Sequence, residues 1–128
     1  MILVDTSIWV EFFKKSSKIV IPIEMIPNIA VCPPVVQEVL QGIKEDSVFK
    51  NIQRSLLSFK VAGENLNTDT YIEASSIYRS ARRRGITIRS SIDCLIAVIA
   101  LREKYQIWHQ DRDFSAIARF TDLKLFRG

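Results

Sequence analysis

The fold is decided by the first thirteen residues, MILVDTSIWVEFF (1–13). Residues 1–4 form a continuous apolar run without alternation, which is typical of a strand covered on both faces. Residues 5–7 then offer side chains suited to helix capping, and the apolar residues that follow recur at helical spacing. The stretch therefore predicts a buried strand, a turn and a helix, with Asp5 at the carboxyl end of the strand.

The remainder of the chain repeats this alternation of strands and helices. Further strands are predicted at residues 29–32, 59–62, 106–109 and 123–126, and helices at 34–43, 44–58, 68–84, 90–104 and 114–119. Such an alternation favours the α/β class, with a parallel sheet covered by helices on both faces. Sheets of this kind bind ligands outside the carboxyl ends of their strands, where the strand order reverses.

Composition narrows the class of protein. With 128 residues, 48% of them hydrophobic, the chain is expected to form a single domain over residues 1–128. The start of the chain lacks the features of a signal peptide, and the longest apolar run, residues 94–101, is too short to span a bilayer. Cys32 and Cys94 are expected to be buried free thiols. We therefore expect a cytoplasmic protein with no membrane partner, and its net charge of +4 is compatible with a polyanionic one.

Four acidic residues are placed where they can approach one edge of the predicted sheet. Asp5 and Asp111 each follow a predicted strand, Asp93 falls in the first turn of helix 90–104, and Glu38 falls in the second turn of helix 34–43. Two carboxylates about 4 Å apart repel by roughly 4 kcal/mol at an effective dielectric constant of about 20. A cluster of them must therefore take up protons or bind cations. Oxygen ligands suit Mg²⁺ or Mn²⁺, which can activate water for displacement at a phosphodiester.

Neighbouring side chains are expected to support these acids, and each acid also has a purely structural interpretation. The hydroxyl groups of Thr6 and Ser7 are candidates to orient ligands of a metal ion. The structural interpretations are helix capping for Asp5, Asp111 and Asp113, a capping box with Ser90 for Asp93, and a solvated helix face for Glu38. The set of acids is a stronger indication of metal binding than any one member.

Four motifs, in this order, resemble those of the PIN-domain ribonucleases: VDTS (4–7), PVVQEVLQG (34–42), IDCLIA (92–97) and DRDF (111–114). Their spacing and the short chain are most similar to the VapC toxins of bacterial and archaeal toxin–antitoxin pairs. The resemblance covers essentially the whole chain. Each motif alone is weak, whereas the ordered set is specific.

The resemblance implies a three-layer α/β/α fold with a five-stranded parallel sheet in the order 3-2-1-4-5. It also implies RNA cleavage that depends on Mg²⁺ or Mn²⁺, inhibition by a cognate antitoxin protein, and a homodimer. The residues it implies as catalytic and metal-binding are Asp5, Glu38, Asp93 and Asp111. Thr6 and Asp113 match supporting positions. The sequence departs from the family at His109, where Thr is common; we favour a strand-end side chain without a catalytic role over a metal ligand, a phosphate contact or a proton donor.

The densest cationic segment comprises Arg82, Arg83 and Arg84, followed by Arg89. It precedes Asp93 in sequence, so it is a candidate to hold RNA phosphates near the metal. Two alternatives remain open, namely contact with acidic groups of an antitoxin and a solvated helix end where cations complement the helix dipole.

Two other functions compete with the nuclease. A phospho-receiver domain has a similar sheet with acids at strand ends, but it usually shows adjacent acids after the first strand, and here Asp5 stands alone. It would also leave Glu38 without a task. A catalytically inactive PIN-like module that binds RNA or protein is the other alternative, and the full set of acids disfavours it.

Overall fold

A five-stranded parallel sheet lies at the centre of the computed structural model, which describes residues 1–127. The strands are β1 (Ile2–Val4), β2 (Ile29–Val31), β3 (Lys60–Val61), β4 (Gln106–Trp108) and β5 (Lys124–Leu125). Their order across the sheet is β3-β2-β1-β4-β5. Leu3 in the central strand lies opposite Ala30 of β2 and Ile107 of β4. The predicted fold class and strand order are confirmed.

Helices cover both faces of the sheet. They are α1 (Thr6–Phe12), α2 (Pro33–Gln41), α3 (Asp46–Leu56), α4 (Thr68–Arg83), α5 (Ser91–Glu103) and α6 (Arg112–Ala118). Parallel strands are joined by right-handed crossovers, so the helices between β1 and β3 lie on one face and those that lead to β4 and β5 on the other. Packing agrees, since α1 contacts α2 and α2 contacts α3, while α4 and α6 both contact α5. The result is the predicted three-layer arrangement.

Burial follows the apolar pattern of the sequence. Leu3 and Val4 are fully buried, as are all three residues of β2, which is why these strands show no alternation of polar residues. Helix α5 is buried along most of its length. In the described residues, no helix has the length and apolar character needed to cross a membrane.

Both cysteines are buried free thiols, as predicted. Burial raises the pKa of Cys32 to about 12, and burial likewise raises the pKa of Cys94 to about 11. Since the thiolate is the reactive form, these side chains act as small apolar residues of the core.

Candidate functional site

The strand order reverses between β1 and β4. From β1 the chain continues to β2 and β3 on one side of the sheet, and from β4 it continues to β5 on the other. Asp5 follows β1 directly, and its backbone N–H donates a hydrogen bond to the carbonyl of Trp108 at the end of β4 (3.0 Å). Asp111 lies just beyond the same end of β4. The chain thus brings both strand-end acids to the edge where a ligand site is expected in such sheets.

Ser7 holds the Asp5 side chain in place. Its hydroxyl donates to Asp5 Oδ2 (2.8 Å) and accepts a hydrogen bond from the backbone N–H of Gln110 (3.2 Å). Asp5 also caps α1 by accepting from the Ser7 N–H, as its structural interpretation predicted. Asp5 Oδ1, in contrast, is buried and has no hydrogen-bond partner among residues 1–127. Burial raises the pKa of Asp5, opposed by the Ser7 hydroxyl, while the charge of Asp111 raises it further.

Asp93 lies in the first turn of α5 and is only 4% exposed. One carboxylate oxygen each from Asp93, Asp111 and Asp113 can be chosen so that all three lie within 4.8 Å of one another. Burial, the neighbouring carboxyls of Asp111 and Asp113 and the charge of Asp5 raise the pKa of Asp93 to about 10. Asp93 Oδ2 is buried and has no hydrogen-bond partner.

The structural interpretation of Asp93, a capping box with Ser90, is wrong. Ser90 is the residue that caps α5, but its side chain makes no capping hydrogen bond. Its backbone N–H donates instead to Asp113 Oδ2 (3.0 Å), because α6 places that carboxylate against the start of α5. Asp93 is thereby left available to the acidic cluster.

Glu38 reaches the same edge from α2. The hydroxyl of Thr6 donates to Glu38 Oε1 (2.8 Å), which joins the start of α1 to the second turn of α2. Glu38 is half-buried. The pKa of Cys32, at the start of α2, is raised mainly by burial and further by the charges of Asp5 and Glu38. The alternative considered for Glu38 was a position on a solvated helix face. The exposed residues of that helix are instead its neighbours Gln37 and Gln41.

Asp111 and Asp113 have distinct surroundings. Asp111 Oδ1 accepts the backbone N–H of Asp113 (2.9 Å) and caps α6, in agreement with its structural interpretation. The Asp113 carboxylate accepts the backbone N–H groups of Arg89 and Ser90, just before α5. His109 contacts the backbone carbonyl of Asp111 through Nδ1 (2.7 Å), and its ring packs against Phe114.

The four arginines predicted to contact RNA are exposed, and they have different partners. Arg82 stacks on Tyr78, whereas Arg84 stacks on Phe120 of the segment after α6. Arg83 is exposed at the last turn of α4. Arg89 belongs to the segment that leads into α5, and its backbone is held by Asp113.

Arg79 was not predicted as a candidate from the sequence. It lines a cavity of about 510 Å³ between α4 and α5, together with Arg89, Tyr71 and Tyr78. The spacing in the sequence could have indicated it. Arg79 lies three residues before Arg82 and four before Arg83, so it shares their side of the helix.

The residues present fit a divalent cation. Carboxylate oxygens are the ligands that Mg²⁺ and Mn²⁺ prefer. Buried polar atoms normally have partners, so the free oxygens of Asp5 and Asp93 in one acidic environment indicate an electropositive group that is not part of the chain. In the described residues, Asp93, Asp111 and Asp113 form the group of acids that could hold such an ion, and Asp5 and Glu38 approach the same edge of the sheet.

Comparisons with known proteins agree with this architecture. A family model described as the PIN domain matches residues 2–120. Ribonuclease VapC11 of Mycobacterium tuberculosis (strain H37Rv) is 40% identical over 133 residues, which cover 97% of this chain and 96% of the relative. Ribonuclease VapC1 of Methanocaldococcus jannaschii is 28% identical over 128 residues, which cover 98% of this chain and 86% of the relative.

Solved structures show the same fold. VapBC2 from Rickettsia felis, bound to a DNA fragment from its promoter, superposes with a TM-score of 0.73 at 20% identity and covers 98% of each chain. VapBC-1 from nontypeable Haemophilus influenzae gives a TM-score of 0.71 at 18% identity, over 98% of this chain and 97% of the other. The family match over most of the chain and the 40% identity to VapC11 carry the assignment. The chain belongs to the PIN domain family and, within it, to the VapC ribonucleases.

Proposed function

We propose that this protein is an endoribonuclease that requires Mg²⁺ or Mn²⁺, hydrolyses RNA phosphodiester bonds and acts as the toxin of a toxin–antitoxin pair. The observation that carries the proposal is the pair of buried, unpartnered carboxylate oxygens of Asp5, at the end of β1, and Asp93, in the first turn of α5. The ribonuclease names of relatives that match along nearly the whole chain supply the substrate class.

The acids have separate tasks in this proposal. Asp5, Asp93 and Asp111 hold the ion, and Glu38 approaches from α2. A divalent ion in such a site supplies an activated water and offsets charge on the phosphate in an in-line displacement. Ser7 fixes Asp5 so that its free oxygen faces the site, and Thr6 fixes Glu38 in the same way. Without metal the pKa of Asp93 is raised to about 10, so a cation bound there would displace the proton that this carboxyl group holds.

The arginines at the end of α4 and before α5 are proposed to hold the RNA backbone. Arg82, Arg83 and Arg89 are exposed, and the last of these lies four residues before Asp93. An Arg82→Gln/Arg83→Gln double variant should bind RNA more weakly, with a salt dependence reduced by about one to two phosphate contacts. The matched control is Lys50→Gln/Arg54→Gln on α3, in the other helix layer. Equal effects of the two double variants on affinity and salt slope would remove this part of the proposal.

The proposed partners are a cognate antitoxin and a second copy of the chain. One of the similar solved structures is a toxin–antitoxin complex from Klebsiella pneumoniae. A cavity of about 240 Å³ beside Glu38, with Val10, Phe13 and Val39 in its wall, gives an inhibitory segment apolar surface close to the acids. Exposed Tyr71 and Ile72 on α4 leave apolar surface for a homodimer. We place this activity in the cytoplasm.

The test is an RNA cleavage assay. Purified protein is incubated with total RNA and Mg²⁺ or Mn²⁺, beside an EDTA control, the Asp5→Asn variant and the Asp122→Asn variant. Asp122 is exposed and follows α6 outside the acidic cluster, so it matches the charge change without touching the site. We expect cleavage by wild type and Asp122→Asn, and a loss of at least a hundredfold in Asp5→Asn. Cleavage that persists in EDTA, or that Asp5→Asn retains in full, contradicts the metal mechanism.

The same assay separates the alternatives. Family membership leaves no support for the phospho-receiver function. The inactive PIN-like module predicts RNA binding without cleavage under every metal condition, whereas the nuclease predicts products that appear only with metal.

A further inference from the structure

We propose that Asp113 is a positioning residue, whose buried carboxylate ties the start of α6 to the segment before α5 and does not itself bind the metal. The proposal rests on the metal site described above. It divides the three neighbouring acids by role, with Asp93 and Asp111 as ligands and Asp113 as the group that sets their relative position.

The hydrogen bonds of Asp113 carry the argument. The Arg89 N–H lies 3.1 Å from both Oδ1 and Oδ2, and the Ser90 N–H lies 3.0 Å from Oδ2. An ionised carboxylate offers about four acceptor positions, so these contacts occupy most of them. The side chain is only 3% exposed, so water does not substitute easily for a lost partner.

Asp5 and Asp93 show the opposite pattern. Each is buried to a similar degree, yet each keeps one oxygen without a partner. A metal ion would satisfy those two oxygens. If Asp113 turned to the ion instead, the N–H groups of Arg89 and Ser90 would lose the acceptor that they share.

The hydrogen bonds of Asp113 to Arg89 and Ser90, called the tie below, connect two functional parts of the molecule. Ser90 caps α5, which carries Asp93 in its first turn, while Arg89 lines the cavity between α4 and α5. At the other end, the Asp113 N–H is held by Asp111 Oδ1 (2.9 Å). A single residue therefore links Asp111 to Asp93 and to the arginine proposed to contact RNA. A negative charge before α5 also complements the dipole of that helix.

Amide hydrogen exchange, followed by NMR in metal-free protein, tests the tie directly. We expect the amides of Arg89 and Ser90 to be protected in wild type and in Asp111→Asn, and to exchange at least tenfold faster in Asp113→Ala. The amide of Ile96, in the middle of α5, should be unaffected. Unchanged protection of Arg89 and Ser90 in Asp113→Ala overturns the proposal. If Asp113→Ala does not fold, Asp113→Asn replaces it, with intermediate protection expected because its amide oxygen still accepts.

Calorimetric titration with Mg²⁺ tests the division of roles. We expect Asp111→Asn to weaken binding at least tenfold and Asp113→Asn to remain within about threefold of wild type. An Asp113→Asn variant as defective as Asp111→Asn would make Asp113 a ligand and overturn the proposal. Absence of Mg²⁺ binding by wild type would refute the proposed function instead, and the exchange measurement, which needs no metal, would still decide the tie.

Discussion

Ser7 shows how a single hydroxyl group holds the carboxylate of Asp5 in one direction. It donates to Asp5 Oδ2 and accepts from the Gln110 N–H, so it joins the ends of β1 and β4 through one side chain. Ser7→Ala removes both contacts and allows Asp5 to turn. Because supporting hydrogen bonds of this kind change metal affinity by about 10–100-fold, we expect Mn²⁺ binding to weaken by at least tenfold. Calorimetric titration checks this, with Ser75→Ala on the exposed face of α4 as control. Equal affinities of the two variants would count against it.

At this scale the sequence predicted some contacts and not others. Asp5 and Asp93 were placed by local patterns, because a strand end and a first helical turn are visible within a few residues. The contact of Glu38 with Thr6 spans 32 residues, and that of Asp113 with Ser90 spans 23. Such contacts depend on how helices pack across the sheet, which no local pattern encodes. For that reason the prediction of Glu38 as a site residue rested mainly on the family resemblance, and the hydrogen-bond partners of Asp113 were not predicted.

The helices and strands were predicted almost completely, since their apolar periodicity is strong. The 3-10 helix at Ile23–Asn28 was not predicted. It contains Pro27 and has no buried residue, so it shows neither the apolar stripe of an α-helix nor the alternation of a strand. Its Ile23 is 83% exposed, a position that hydrophobic patterning does not anticipate.

Two glycines give a matched test of how the turn after β3 packs on α5. Gly63 and Gly85 both have positive φ values, +71° and +74°, so an alanine costs about 1–2 kcal/mol at either. At Gly63 an added Cβ would also lie 3.1 Å from Ile99 Cγ2, inside the core, whereas nothing lies within 4 Å at Gly85. We therefore expect Gly63→Ala to be more destabilising by about 1 kcal/mol or more. Urea denaturation measures both, and an equal loss of stability would contradict the packing of Ile99 against this turn.

At the scale of the whole molecule, the acidic site should make stability depend on pH. The pKa of Asp93 is about 10 in the folded, metal-free protein, against an ordinary value of 3.8. Between these values the folded state binds the proton and the unfolded state does not. Stability from this group is therefore full below about pH 4 and is lost as the pH rises towards 10.

Urea unfolding in EDTA at pH 5.5 and pH 8 measures this effect. A single transition is expected, because one buried core joins the sheet to its helices. We expect wild type to lose more stability between about pH 5.5 and pH 8 than Asp93→Asn, which lacks the carboxyl group that releases a proton on unfolding in this range. Added Mg²⁺ should restore stability most at the higher pH. Identical pH dependence of the two proteins would show that Asp93 ionises normally.

The central claim is that these acids form a divalent metal site, and Mn²⁺ titration calorimetry at neutral pH tests it most directly. Titrations in buffers of different ionisation enthalpy count the protons released on binding. Wild type and Asp122→Asn should bind Mn²⁺ and release about one proton, because metal displaces the proton from Asp93. Asp93→Asn should bind at least tenfold more weakly and release no such proton. Equal affinity and equal proton release in Asp93→Asn, or no binding by wild type, would contradict the account.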